Sequence, residues 1–567
     1  MSPILPGWAT TLRDRYLSGE ASLFLVHGNV RDLHPWDDGA DKVEWLDLRS
    51  FLERFLLRTR DVVAYYNVSQ GLCFTEKEHE KRFRAILDAR RMLTGQPRVD
   101  ALPRGLSEVL SAIEVLVTDQ TRSTGAVIDF FETVAPRADV AFMTQDDKAN
   151  LVTLRRWSSD PALLATNNLV ILVAEQLSDV APSVVASPQL VTLRVPFPDE
   201  PMRDAFLAVE LTADVPTDLP GPQLAKITAG LTLLQLRGLL QVARQSHASI
   251  RFETVAQRKK VILEQECQGL VELVAPRHDL SSVGGMDEVK ANLLRIADAI
   301  KTGKKNQVPM GMIFVGPMGT GKTFVAEAFA AESGLVCLKL ANFRDRWVGA
   351  TESNLEKVLD LVEALGYVLL IIDEAERALA SGEQDGGTGS RVIARLKEFM
   401  SDTSHRGRVV MLMMTNRPDR LDTDLKRPGR FDLKIPFFFP QSVEERRSVL
   451  AALARKNDVG LGGDVDLAPI AVATEGWSGA ELESVVLAAA TAAANDGRDL
   501  VSGQDLAAAA VDVVPSRDVR MLEYMELLAV FECSARRMLP ERYQGIDTQD
   551  VLARLDGLKA SLGWRAT

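Results

Sequence analysis

The stretch Met310-Gly-Met-Ile-Phe-Val-Gly316-Pro317-Met318-Gly319-Thr320-Gly321-Lys322-Thr323-Phe-Val-Ala-Glu-Ala-Phe-Ala-Ala-Glu332 decides the fold. An apolar run enters a glycine-rich turn, and an alanine-rich segment of helical character leaves it. That order predicts a buried strand, a loop and a helix. Glycines let successive backbone N–H groups turn inward onto phosphate oxygens at the helix N-terminus. Lys322 can then reach the β and γ phosphates, and the Thr323 hydroxyl can ligate Mg²⁺.

Outward from the loop, Val368-Leu-Leu-Ile-Ile372 runs into Asp373-Glu374, 51 residues after Lys322. A central parallel strand delivers such a pair to the carboxyl edge of its sheet. Asp373 is placed to hold Mg²⁺ through water, and Glu374 to orient and polarise water for in-line attack on a γ phosphate. A third apolar run, Val409 to Met414, enters Thr415-Asn416-Arg417-Pro418-Asp419, with Arg427-Pro428-Gly429-Arg430 beyond it.

With these residues the chain resembles the AAA family of ATPases. The resemblance covers about residues 280–514 and implies an α/β fold: a P-loop NTPase parallel sheet with helices on both faces plus a small α-helical lid. It implies ATP and Mg²⁺ as cofactors, with Asn416 as a sensor for the γ phosphate and the catalytic water. Arg427 and Arg430 match arginines that in the family reach the ATP of a neighbouring subunit, so a homo-oligomer is expected, a hexamer by resemblance. Val283 and Gly284 resemble the segment beside the adenine. Gly479 and Ala480 resemble the start of the lid helix in the protein-remodelling branch, where other relatives carry an arginine. Trp347, Val348 and Gly349 resemble a first pore loop that grips an extended polypeptide, and residues 382–390 occupy the place of a second.

The first 250 residues repeat the plan without the chemistry. An offset of 240 aligns Leu169-Val-Ile-Leu-Val through Phe197 with Val409 through Phe437 without a gap. Gln176 then stands opposite Asn416, Ser187 opposite Arg427 and Leu190 opposite Arg430, while Phe130 follows Asp129 where Glu374 follows Asp373. The turn His27-Gly28-Asn29-Val30 has neither lysine nor a following hydroxyl. A degenerate, inactive AAA-like domain over 1–250 with its own lid is therefore expected, its extra length placed between Asp61 and Pro103. A helical linker is expected over 251–279, the large α/β subdomain over 280–439, the lid over 440–514 and a helical tail over 515–567. Inactive half, linking helix and active module together resemble, more loosely, an uncharacterised chloroplast and cyanobacterial family.

The 567 residues suffice for several domains at roughly 150 residues each. Hydrophobic residues at 46% and charged residues at 25% describe an ordinary globular chain. Asp plus Glu, 78, exceeds Lys plus Arg, 66, which disfavours nucleic acid as the main partner. Cys73, Cys267, Cys337 and Cys533 lack the paired spacings of zinc or redox sites. His79-Glu80-Lys-Arg-Phe lacks the second histidine of a zinc-protease helix. No run approaches the ~20 apolar residues of a membrane span, so no membrane partner and a cytoplasmic location are expected. The expected function is ATP-driven remodelling, disassembly or threading of a protein partner, with a nucleotide-gated assembly switch or scaffold as the alternative.

Overall fold

A computed structural model describes residues 5–37, 43–94, 101–138, 141–267, 270–276, 278–340, 351–378, 388–463, 465–515 and 518–562. The chain divides into two compact units, Met1–Lys259 and Lys260–Thr567. Each contains, among the described residues, one six-stranded sheet.

In the second unit the strand order is Leu433–Pro436, Gly311–Val315, Val409–Thr415, Val368–Ile372, Val336–Leu340, Val271–Val274. The first five are parallel, and Val271–Val274 pairs antiparallel on the edge. Gly311–Val315, Val368–Ile372 and Val409–Thr415 are buried along their whole length, as both-face coverage requires of continuous apolar runs. Phe314, Leu369, Leu412 and Met414 share one core with Leu293, Ile296, Val325 and Phe329 of the helices Asp287–Lys301 and Lys322–Ser333.

The first unit has the corresponding order: Leu190–Val195, Leu23–Gly28, Leu169–Ala174, Thr124–Ile128, Val62–Asn67, then the antiparallel edge strand Gly71–Cys73. Two separate cores cover its faces, one around Leu25, Val170 and Leu172, the other around Phe24, Ile171 and Val173. The ungapped 240-residue alignment slips by two at the last strand. Gly28 lies over Val195, whereas Gly316 lies over Phe437, so Phe197 is not the counterpart of Phe437. A slip of two leaves each side chain on its original face.

Both units carry a lid built on one plan. In the first, Glu200–Glu210, Gly221–Ile227 and Leu233–Ser246 enclose Phe206, Leu224 and Leu236; in the second, Val443–Lys456, Ala468–Ala473, Gly479–Asn495 and Gly503–Asp512 enclose Leu450, Leu482 and Val486. Arg203 and Arg446, each 3% exposed, donate through Nε to Ala225 O at 2.8 Å and Ala471 O at 2.6 Å. Capping boxes start the equivalent helices, Thr232 with Gln235 and Ser478 with Glu481.

Two expectations are corrected. The segment expected as a helical linker over 251–279 is helix only across Phe252–Glu266, and Val271–Val274 is a strand of the second sheet. Val271 is buried where this strand pairs with Val336–Leu340, a pairing that local periodicity does not report. The extra length of the first unit is not confined to 61–103 either. Part of it lies earlier, in the antiparallel hairpin His34–Asp37 with Val43–Leu46, and the rest follows Val62–Asn67 as the edge strand and the helix Lys77–Leu93.

Candidate active site

Strand Gly311–Val315 lies between Val409–Thr415 and Leu433–Pro436, which fixes where its loop emerges. Gly316 cannot be replaced: an added Cβ would stand 2.1 Å from Phe437 O. Beyond the loop, the twelve-residue helix Lys322–Ser333 presents its first-turn N–H groups at the carboxyl edge of the sheet. Lys322 Nζ donates to Gly316 O at 2.8 Å, Pro317 O at 2.7 Å and Asn416 Oδ1 at 2.8 Å. Burial lowers its pKa to about 8, against the opposing pull of Glu376 and Asp373. Thr320 braces the turn through its hydroxyl, which donates to Pro317 O at 2.9 Å.

Asp373 and Glu374 follow the buried strand Val368–Ile372. Glu374 adopts a left-handed backbone, φ 45°, and its N–H donates to Asp373 Oδ1 at 3.0 Å. A non-glycine residue in that region is held there by its surroundings. Asp373 Oδ2 pairs with Lys339 Nζ at 2.9 Å, and Glu374 Oε2 with Arg377 Nη1 at 2.8 Å. Glu376, two residues on, escaped the sequence reading. It is 8% exposed, and its Oε1 accepts from Asn416 N at 3.3 Å and Asn416 Nδ2 at 3.4 Å. Glu376, Asn416 and Lys322 thus form one chain of contacts, which fixes the Asn416 amide with its oxygen towards the lysine. The only local signal was a third acid within one turn of the pair.

The lid meets this loop backbone to backbone. Ala480 N donates to Gly319 O at 3.3 Å, and a Cβ on Gly479 would stand 3.0 Å from the same oxygen. Small residues at the helix start are what let it approach so closely. On the other side, Gly284 lies against Ser448 and Val449, where a Cβ would be 2.5 Å from Ser448 O, and Gly285 N donates to Ser448 Oγ at 3.1 Å. Val283 beside it is 6% exposed. Together the buried cation, the helix N-terminus, Thr323, and the carboxylates of Asp373 and Glu374 fit a magnesium–nucleotide triphosphate.

Arg427 is placed differently. Its side chain is 72% exposed and its Nε pairs with Asp424 Oδ1 at 3.1 Å; Arg430 Nη1 donates to Asp424 O at 2.9 Å. Trp347, Val348, Gly349 and residues 382–387 of the second pore loop expected over 382–390 lie outside the described residues, while its last three residues begin the helix Thr388–Ser401.

The first unit keeps the frame and fills it. A Cβ on Gly28 would stand 2.6 Å from Val195 O, yet the chain then enters the hairpin, and the next helix begins only at Leu48. Phe130 has the same left-handed backbone as Glu374, φ 51°, and its N–H likewise donates to the preceding carboxylate, Asp129 Oδ1, at 2.8 Å. Arg31 spans this edge: Nη1 pairs with Asp129 at 2.9 Å, Nε with Glu175 at 3.1 Å, and the guanidinium lies 3.9 Å over the Phe130 ring. Asp32, 3% exposed, accepts from Leu233 N at 3.0 Å and Leu234 N at 2.9 Å, so the protein's own carboxylate caps that lid helix.

A five-stranded parallel core of this order, with its phosphate loop, paired acids and lid, defines a P-loop nucleoside triphosphatase. Residues 312–439 match the family model described as ATPase family associated with various cellular activities (AAA), and 464–508 match an AAA+ lid domain. In the first half, 2–196 match the AAA+ chaperone N-terminal Rossmann-like domain and 202–268 the AAA+ chaperone second helical domain. The chain thus carries an AAA ATPase domain, with an AAA+ chaperone N-terminal Rossmann-like domain ahead of it.

Among curated relatives, the ATP-dependent zinc metalloprotease FtsH of Acidothermus cellulolyticus is 34% identical over 245 residues, 41% of this chain and 36% of the relative. FtsH of Staphylococcus haemolyticus is 32% identical over 262 residues, 43% of this chain and 35% of the relative. The proteasome-activating nucleotidase of Methanocella arvoryzae is 30% identical over 271 residues, 45% of this chain and 63% of the relative. The chain therefore spans about a third of the length of the first of these relatives. Among its described residues no helix is long and apolar enough to cross a membrane.

Proposed function

We propose that the protein hydrolyses Mg-ATP at interfaces between identical subunits, in a hexameric ring, and uses the cycle to remodel or thread a protein partner in the cytoplasm. The observation that carries this reading is Arg427, an arginine of the ATPase module whose side chain is 72% exposed on a surface loop. A planar, permanently charged group there suits the developing charge on a neighbour's transferring phosphoryl group.

In this mechanism Lys322 and the helix N-terminus bind the β and γ phosphates, and Thr323 and Asp373 would hold Mg²⁺. The metal, when bound, neutralises charge on the phosphate oxygens. Glu374 orients the attacking water and takes its proton. Asn416, held by Glu376, keeps its amide beside the γ phosphate, and Arg427 and Arg430 of the adjacent subunit stabilise the transition state. Because Gly479 and Ala480 of the lid lie directly against Gly319 of the loop, a change of phosphate number reaches the lid directly. Four cysteines without paired spacings suit a reducing compartment, and the excess of acidic residues argues against a nucleic-acid partner.

The threading step is tested by Trp347→Ala, which is expected to keep ATP turnover within about twofold while abolishing work on the client, because an exposed ring supplies grip and not chemistry. Unchanged biological activity in that variant sinks threading and leaves the nucleotide-gated assembly switch. The first unit is proposed to bind no nucleotide at all, since Arg31 already occupies the edge between Asp129 and Glu175. Calorimetric titration of the full chain with ATP should give one site per subunit, and none after Lys322→Ala. Two sites per wild-type subunit would refute the inactive reading.

A further inference from the structure

Residues 518–562 lie beyond the matched lid domain and fold as Val519–Glu532, Glu541–Gln544 and Thr548–Ser561. Their core, around Tyr524, Leu527, Leu539 and Tyr543, packs against Phe438 of the ATPase module. The helix Val519–Glu532 bonds to the module near both of its ends. Near the N-terminal end, Tyr524 is 0% exposed, and its hydroxyl donates to Asp419 Oδ2 at 3.2 Å. Arg417 donates to both oxygens of Asp419 at 2.9 and 2.8 Å, with its guanidinium 5.2 Å over the Tyr524 ring. Arg417 is the residue after the sensor Asn416.

At the C-terminal end, the Glu532 side chain is 9% exposed and paired twice. Its Oε1 accepts from Lys426 Nζ and its Oε2 from Lys434 Nζ at 2.8 Å. Lys426 Nζ also donates to Pro418 O at 3.1 Å. Ser534 continues the clamp, donating from its N–H to Lys434 O at 3.1 Å and accepting from Lys434 N at 2.8 Å. Lys426 is the residue before Arg427. One helix therefore grips the immediate neighbours of the two residues that read and complete the ATP site, Asn416 in its own subunit and Arg427 for the next. A carboxylate shared by two mostly buried ammonium groups holds its loop strongly, because removing it leaves buried charge uncompensated.

We propose that the tail helix Val519–Glu532 is a positioning element of the ATPase cycle, with Glu532 setting the loop that presents Arg427 to the neighbouring subunit. The inference rests on the trans-arginine reading above, and the experiment separates the two. Full-length Lys322→Ala subunits, which keep their arginines, are mixed with Arg427→Ala subunits, which keep their own nucleotide loop, and turnover is measured in the mixture. Glu532→Ala is then added to one partner at a time.

On the Lys322→Ala partner, which donates the arginine, it should lower turnover at least tenfold with KM for ATP unchanged. On the Arg427→Ala partner it should change turnover by less than twofold, and Glu532→Asp on the donor should restore part of the loss. Thermal melting of each subunit checks that Glu532→Ala folds, and Glu532→Gln on the donor, a milder change, should show the same asymmetry. Equal loss on either partner, or none on the donor, overturns the positioning role. A parent mixture with no turnover instead overturns the trans-arginine reading itself, and the inference with it.

Discussion

Arg427→Ala should lower ATP turnover by roughly 10³- to 10⁵-fold, the range such an arginine contributes to phosphoryl transfer, while leaving ATP binding to its own subunit intact. Its partner Asp424 is on its own loop, and the side chain is largely in solvent, so the loss is not expected to come from unfolding. The decisive feature is location. Arg427→Ala subunits bind ATP but lack the arginine, and Lys322→Ala subunits have the arginine but bind no ATP. Mixing the two should recover turnover that neither shows alone, measured as phosphate release. A monomer that stays single-copy in saturating nucleotide and turns over normally without both Arg427 and Arg430 would remove the inter-subunit site altogether.

Glu374→Gln should reduce turnover by roughly 10²- to 10⁴-fold, the usual contribution of a positioned general base, with ATP retained. The amide keeps the shape and can still lie beside Arg377, but it accepts no proton. Lys322 and its contacts to Gly316, Pro317 and Asn416 are untouched, so the nucleotide should remain on the protein after gel filtration. The same variant should hold the client, and its affinity capture would name the partner. Normal turnover in Glu374→Gln would take Glu374 out of the mechanism.

Much of the candidate site was legible because its signals are local. Glycine spacing, one lysine and a hydroxyl residue must lie within a few positions of one another to make a phosphate loop, and Asp373-Glu374 had to end an apolar strand. The duplicated plan was legible too, since the buried central strands of each sheet leave apolar runs. Less legible was anything set by partners far away in the chain. Val271–Val274 reads as the end of a helix until its pairing with Val336–Leu340 is known, and the two-residue slip of the last strand leaves apolarity unchanged.

The sequence by itself determined a glycine-rich phosphate loop at Gly316 to Thr323, with Asp373-Glu374, Asn416 and Arg427 to Arg430 after it, because backbone conformation and charge type there depend on adjacent residues. Tertiary structure alone decided that Glu376 holds Asn416, that Arg31 fills the matching edge of the first unit, and that Tyr524 and Glu532 grip the residues beside Asn416 and Arg427. Those contacts join side chains dozens to more than a hundred positions apart, and only the packed sheet and the docked tail helix bring their charges within hydrogen-bonding distance.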